Sequence, residues 1–356
     1  MKIKKIFKDV FSKVSAMFGD LEYTLSDDGT FYTVTGRGSC KSENVVIKNL
    51  HNELPVIAIA DGAFELCSRK SILIGDNVTT IGKDVFEYFF VENIFVGENN
   101  PVFKSIDGNL YSKDGKTLIK YTKSKEEESF TVPEGVTEIG EWAFRYSEYL
   151  TSIHLSDSVT AIGEEAFINC ENVTTVTFGA GVTTFAKSAF YVCYHLENIL
   201  VDEKNPVYQS IDGNMYSKDG KTFIRYPEGK TATSFTIPDG VTVIDESAFA
   251  ECSNLKSIQL PDGITKIGDR AFEDCRNLES IQLPDSVTSI GEEAFISCRG
   301  LTSVYYKGTM QEWENIRIGS DNDDLTSATR YYYSETPPIA DGNFWHYDEK
   351  GEIVVW

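Results

Sequence analysis

The segments LKSIQLPDGITKIGDRAFEDC (255–275) and LESIQLPDSVTSIGEEAFISC (278–298) are two copies of one unit, and LTSIHLSDSVTAIGEEAFINC (150–170) and VTTVTFGAGVTTFAKSAFYVC (173–193) are its cognates. Phe64, Phe86, Phe144, Phe167, Phe190, Phe249, Phe272 and Phe295 mark the pattern, at intervals of 22, 58, 23, 23, 59, 23 and 23 residues. A unit of 23 residues therefore recurs and is twice expanded by about 35. Self-similarity at such a period is the signature of a stacked array, because one unit cannot bury its own apolar ring and stacked units share a core.

Within one unit, Leu255, Ile258 and Leu260 read as a short strand ended by the turn Pro261-Asp262-Gly263. A second extended piece carries Ile264 and Ile267. Gly268 is expected to turn the chain, and Asp269 to Phe272 to form a short helical turn that delivers Ala271 and Phe272 inward. The coil then closes and the next begins. Strand-like segments at Leu73, Phe95, Thr131, His154, Thr177, Leu200, Thr236, Gln259, Gln282 and Tyr305 predict one parallel sheet roughly 45 Å long.

The unit length and the L-x-x-I-x-L strand resemble leucine-rich repeats, and AIGEEAFINC and SIGEEAFISC resemble the BspA-like class. The likeness covers residues 56–306. Departures are local: Val85 replaces Ala, Ala186 and Asp245 replace Gly, and Tyr88-Phe89 and Ser147 replace Cys. The resemblance implies an α/β solenoid, a right-handed superhelix of short parallel strands and short helical turns. It also implies display at the cell surface or secretion, and adherence to host or neighbouring-cell macromolecules.

The two expansions share a text, ENNPVFKSIDGNLYSKDGKTLIKY (98–121) and EKNPVYQSIDGNMYSKDGKTFIRY (203–226). Asn109–Ser112 and Thr117–Tyr121 read as strands joined at Lys-Asp-Gly-Lys, so that β-hairpin inserts are expected at about 98–127 and 203–231. Residues 21–55 alternate like a β-hairpin that caps the first coil, and 307–356 read as a C-terminal cap followed by a hairpin around FWHYDEKGEIVVW, docked on the cap. In residues 1–20 the spacing of Ile3, Ile6, Phe7, Val10, Phe11, Val14, Met17 and Phe18 reads as an amphipathic helix. It either covers the end of the core or docks on a membrane or partner, as in an intracellular scaffold. Lys8, Asp9 and Lys13 interrupt the apolar run a signal peptide needs.

Six of the seven cysteines, Cys67, Cys170, Cys193, Cys252, Cys275 and Cys298, stand three residues after the repeat Phe. Stacked equivalents point in parallel, which is poor disulfide geometry, so free thiols are expected. No Cys-x-x-Cys, His-Glu-x-x-His, Gly-x-Ser-x-Gly, Walker or dinucleotide motif is present, and the four histidines sit in different coils or caps. Neither catalysis nor a metal or cofactor is expected. The acidic run Asp321-Asn322-Asp323-Asp324 reads as a solvated loop, with cation binding as the alternative.

With 33 Lys+Arg against 55 Asp+Glu, the net charge of −22 disfavours nucleic acid and anionic lipid as partners. No run approaches the roughly 20 apolar residues of a membrane-spanning helix. A solenoid offers an extended face on which equivalent positions align. The outward column Phe95, His154, Thr177, Leu200, Gln259, Gln282 and Tyr305 is almost uncharged, which suits a protein or glycan contact. The other reading is that such residues merely pair across strands. Expected partners are thus a protein or glycan, and the expected state is a monomer.

Overall fold

In this array the backbone hydrogen bonds run between coils, so each coil is completed by its neighbours. The structure, a computed structural model, describes residues 20–65, 68–86, 90–122, 126–339 and 341–356. The expected amphipathic helix, Cys67 and the Tyr88-Phe89 departure lie outside them. The chain divides into two compact units: one of Met1–Glu128, Pro133–Leu150 and Ser158–Cys170, the other of Ser129–Val132, Thr151–Asp157 and Glu171–Trp356.

The outward strands form three sheets rather than one. In the first unit Asn44–Val46, Ser68–Ile74 and Phe90–Val96 pair in parallel. In the second, Ser129–Thr131, Ser152–His154, Thr175–Phe178 and Asn198–Val201 form a four-stranded parallel sheet. A seven-stranded sheet runs from Ser234–Thr236 through Ser257–Gln259, Ser280–Leu283 and Ser303–Tyr306 to Thr329–Tyr333, Phe344–Tyr347 and Ile353–Val355. Within each parallel ladder the repeat keeps register: Ile258 lies beside Ile281, and Ile281 beside Val304. The two-residue strands form a second ladder, Ile244 beside Ile267 and Ile267 beside Ile290.

Among the described residues helix is nearly absent, which corrects the α/β expectation for the array. Among the described residues the helices are the short 3-10 turn Lys187–Phe190 and the α-helices Met310–Trp313 and Asp323–Ser327. The backbone explains the shortage. Arg270 and Asp274 both take positive φ (53° and 56°), as do Glu293 and Ser297 in the next coil, so these two Ala-Phe segments lie between two left-handed residues, whereas Ala189-Phe190, in the 3-10 turn, has one only after it, at Val192. A helix cannot pass through such breaks at ordinary residues. Instead the N–H groups of Ser247, Phe249 and Glu251 donate to the carbonyls of Asp269, Ala271 and Glu273 one coil on, which makes this third side a ladder too.

Gly268 also plays a different part from the one expected. It is not left-handed; a Cβ there would stand 2.6 Å from the Glu246 nitrogen, so the glycine lets adjacent coils approach. Inside, the repeat phenylalanines stack: Phe249 on Phe272 at 5.1 Å and Phe272 on Phe295 at 4.8 Å between ring centroids. Such near-parallel rings are fully buried and fill the coil interior. Six cysteines among the described residues are free. The thiols of Cys275 and Cys298 each donate to the carbonyl of the preceding coil's Phe, at 3.0 Å. Burial pushes the Cys298 thiol up to about 12, so it stays protonated and inert.

Each insert contributes three strands rather than two. Phe103–Ile106, Asn109–Ser112 and Thr117–Lys120 form an antiparallel meander whose last strand pairs in parallel with Glu138–Ile139. Tyr208–Ile211, Asn214–Ser217 and Thr222–Arg225 repeat it, with the last strand beside Val243–Ile244. An insert therefore extends the second-strand ladder and leaves the outward ladder without a strand. At the C-terminal end Asn322 closes the array: its Oδ1 accepts from the Phe295 N–H, the bond that the next coil's carbonyl supplies elsewhere. The acidic run that contains it is thus a structural turn and helix start.

Candidate binding surface of the second unit

Parallel register places His154, Thr177 and Leu200 side by side on the four-stranded sheet. His154 and Leu200 are exposed, Leu200 to 41%, and Thr177 is half-buried. Ser152, Thr175 and Asn198 form the neighbouring column in the same register. Gln259 is exposed on the seven-stranded sheet beside the exposed Thr236. Phe95 is half-buried and belongs to the first unit, on the sheet where it pairs with Leu73.

Two members of the expected column lie elsewhere than on an open face. Gln282 is only 6% exposed, and its side-chain amide donates to the Tyr347 hydroxyl at 2.6 Å. Tyr305 is half-buried, stacked on Tyr331 at 5.1 Å and packed edge-on against Trp345. The cause is the aromatic hairpin, which adds its strands to the outward sheet and folds Trp345 and Tyr347 across it. Trp345 is fully buried and its indole N–H donates to the Tyr306 carbonyl at 3.0 Å. Aromatic density in FWHYDEK signalled burial; nothing in its spacing disclosed which face it would cover.

A cleft that sequence reading missed opens beside this surface. Its volume is about 430 Å3, and its lining includes Asn198, Ile211, Asn214, Tyr216, Tyr226, Lys230 and Phe235. The cleft exists because the second insert supplies no outward strand between Asn198–Val201 and Ser234–Thr236. The insert's Gly213 carbonyl accepts from the Ile199 N–H at 2.9 Å, so one wall is satisfied internally. At the other wall Ser234–Thr236 is an edge strand. Lys230 reaches the Asp212 carbonyl at 2.7 Å and lies over the Tyr226 ring, and burial lowers its pKa. The amide Oδ1 of Asn214, a residue only 3% exposed, has no hydrogen-bond partner.

A polar cluster underpins this region from the other side. Arg225 and Glu228, both buried, form an ion pair at 2.5 Å, and Glu228 also accepts from the Cys193 N–H at 3.0 Å. Arg225 donates in addition to the Ser247 carbonyl at 2.7 Å. Burial pushes the Glu228 carboxyl up to about 8. The pair anchors the turn that follows the insert and reaches no open surface, so it is structural. Among the described residues no group of His, Cys, Asp and Glu is arranged to hold a metal ion, and no helix is long and apolar enough to cross a membrane.

The model of the BspA type leucine rich repeat region matches residues 38–120, 119–232 and 228–320. The chain belongs to the BspA-type leucine-rich-repeat family. No curated protein matches it. Among solved structures, this BspA-type chain is similar to the pneumococcal vaccine antigen PcpA at 20% identity, over 94% of each chain, with a TM-score of 0.54. It is also similar to a leucine-rich repeat protein from Eubacterium ventriosum at 21% identity, over 90% of this chain and 77% of that one, TM-score 0.50. A leucine rich cell surface protein from Faecalibacterium prausnitzii is similar at 26% identity, over 85% and 98%, TM-score 0.46. The first two likenesses show the fold alone. Leucine-rich-repeat arrays are interaction modules that bind through extended repeat surfaces.

Proposed function

We propose that this chain is a non-enzymatic binding module that holds a protein or glycan on the outward strand face of its second unit. The observation that carries this reading is the uncharged, in-register ladder His154, Thr177 and Leu200, with the exposed Gln259 on the seven-stranded sheet. In a chain of net charge −22, such a face stands out. Interface cores are depleted in charge, and an exposed Leu flanked by hydroxyl and amide side chains matches that composition. Phe95 offers a separate contact point on the first unit. The family resemblance adds surface display and adhesion to the proposal. The test is binding of the full chain to immobilised extracellular-matrix proteins and a glycan array, compared with the double variant His154→Glu/Leu200→Glu. The reading expects binding to a member of either panel that the double variant loses at unchanged melting temperature. Equal binding by both proteins, or none by either, overturns it.

A further inference from the structure

We propose that the cleft beside Ser234–Thr236 is a strand-addition site, which takes an extended peptide segment of a partner protein as the missing strand of the outward ladder. The argument is independent of the strand-face reading and starts from the backbone. Among the described residues Ser234–Thr236 pairs with Ser257–Gln259 alone. On that side the Thr233 carbonyl accepts from the Ser257 N–H, and the Ile237 N–H donates to the Gln259 carbonyl. Parallel ladders alternate, so residues 233, 235 and 237 address the paired neighbour and the N–H and C=O groups of Ser234 and Thr236 face the cleft. An exposed row of alternating donors and acceptors is what an extended backbone completes.

A second observation points to the same occupant. Asn214 lines the cleft, is nine-tenths buried, and has an amide oxygen without a donor. In the first insert the cognate Asn109 accepts from both the N–H and the hydroxyl of Thr122, at 3.0 and 3.1 Å. The second insert has Pro227 at that place, which has neither group. The acceptor is therefore left orphaned within the wall of the cleft, which is costly, and a donor carried by the occupant would relieve it if the amide turns toward the cleft. Tyr216, Tyr226 and Phe235 line the cleft with rings, so the peptide's alternate residues that face them are apolar or aromatic. At about 430 Å3 the cleft holds a few residues of such a strand.

The test uses a phage-displayed library of random linear heptapeptides selected on the full chain, with enriched peptides resynthesised for fluorescence polarisation. Thr236→Pro deletes a cleft-facing N–H without touching the ladder to Ser257–Gln259, and Asn214→Leu deletes the orphaned acceptor. Each is expected to weaken the peptide by about tenfold, the worth of one hydrogen bond in a desolvated site. Thr236→Ala, which keeps the N–H, is expected to leave affinity unchanged, and peptide binding is expected to slow amide exchange at Thr236. His154→Glu/Leu200→Glu is expected to leave the peptide bound, so failure here and failure of the strand-face reading are distinguishable. No enriched peptide, peptides indifferent to both Thr236→Pro and Asn214→Leu, or a saccharide that alone requires Asn214, each overturns the proposal.

Discussion

The two inserts carry nearly the same text and the same three strands, yet they are fastened by different chemistry. In the first, Lys120 reaches the carbonyls of Trp142 and Arg145 at 2.9 and 3.2 Å, and Arg145 faces Asp84 at 3.7 Å. In the second, Arg225 replaces Lys120 and closes on Glu228, while Lys187 pairs with Asp245 and Tyr191 bonds Ser247. Asp245 stands where the first insert is followed by Gly140, and Ala250 where it is followed by Arg145. The first framework thus includes cation-to-carbonyl bonds at Lys120, where the second has the buried pair of Arg225 and Glu228. The fold needs a strand for the second ladder; it does not dictate how the strand is anchored.

That contrast breaks most visibly at the ion pair. Glu228→Ala strands the buried Arg225 cation and is expected to cost about 3–5 kcal/mol. Lys120→Met takes the donor away from the Trp142 and Arg145 carbonyls, and is expected to cost about 1–3 kcal/mol. Chemical denaturation of the two variants checks the order. Burial pushes the Glu228 carboxyl up to about 8, above its value in the unfolded chain, so below that pH the folded protein holds an extra proton and Arg225 faces a neutral, hydrogen-bonded carboxyl, the ion pair being complete only above it. Its contribution is therefore fully present in acid and is lost as pH rises toward and through 8. Stability measured from pH 5 to 9 should fall more steeply for wild type than for Glu228→Gln.

The Asn acceptors give the next smaller contrast. Thr122→Pro removes both donors from the buried Asn109 oxygen and is expected to destabilise the first unit by about 1–3 kcal/mol. The reciprocal Pro227→Thr gives Asn214 its donors but returns backbone freedom to the unfolded chain, so the gain is expected to stay below about 1 kcal/mol. The informative readout is elsewhere: with Asn214 satisfied internally, Pro227→Thr should weaken any peptide held in the cleft.

Sequence made the repeat legible because apolar residues must recur wherever each coil meets the same core. Ile258, Phe272 and Cys275 could be placed from spacing alone. Left-handed Arg270 and Asp274 could not, since charged residues are weak markers of positive φ, and the Ala-Phe segment therefore read as helical. The cleft was hidden for a related reason. It arises from a strand that is not supplied, and its orphaned acceptor from the exchange of Thr122 for Pro227 just after two texts read as equivalent. Gln282 read as outward, which is its place in the pleat; that a segment 65 residues later covers it is a tertiary fact without a local signal.

The smallest contrast lies where the first insert meets the coil before it. There a pocket of about 170 Å3 has an apolar side of Ile81, Phe86, Phe103, Ile119 and Trp142 and a charged side that includes Lys83, Asp84, Glu141 and Arg145. At the cognate place in the second unit Phe185 packs edge-on against Phe178, Phe190 and Tyr208, at 5.7 to 6.2 Å between ring centroids. Ile81 occupies the position of Phe185 in its coil. Ile81→Phe therefore transplants the larger ring into a space already shaped by Phe86 and Phe103, the cognates of Phe190 and Tyr208. Filling it is expected to add about 0.5–1 kcal/mol, read as a rise in denaturation midpoint with unchanged slope. The reverse change, Phe185→Ile, opens a void in a packed aromatic cluster and should cost more than Ile81→Phe gains, because a tight core relaxes only partly around lost volume. Equal and opposite shifts would mean that the two sites are equally packed, and that the difference in anchoring does not extend to their cores.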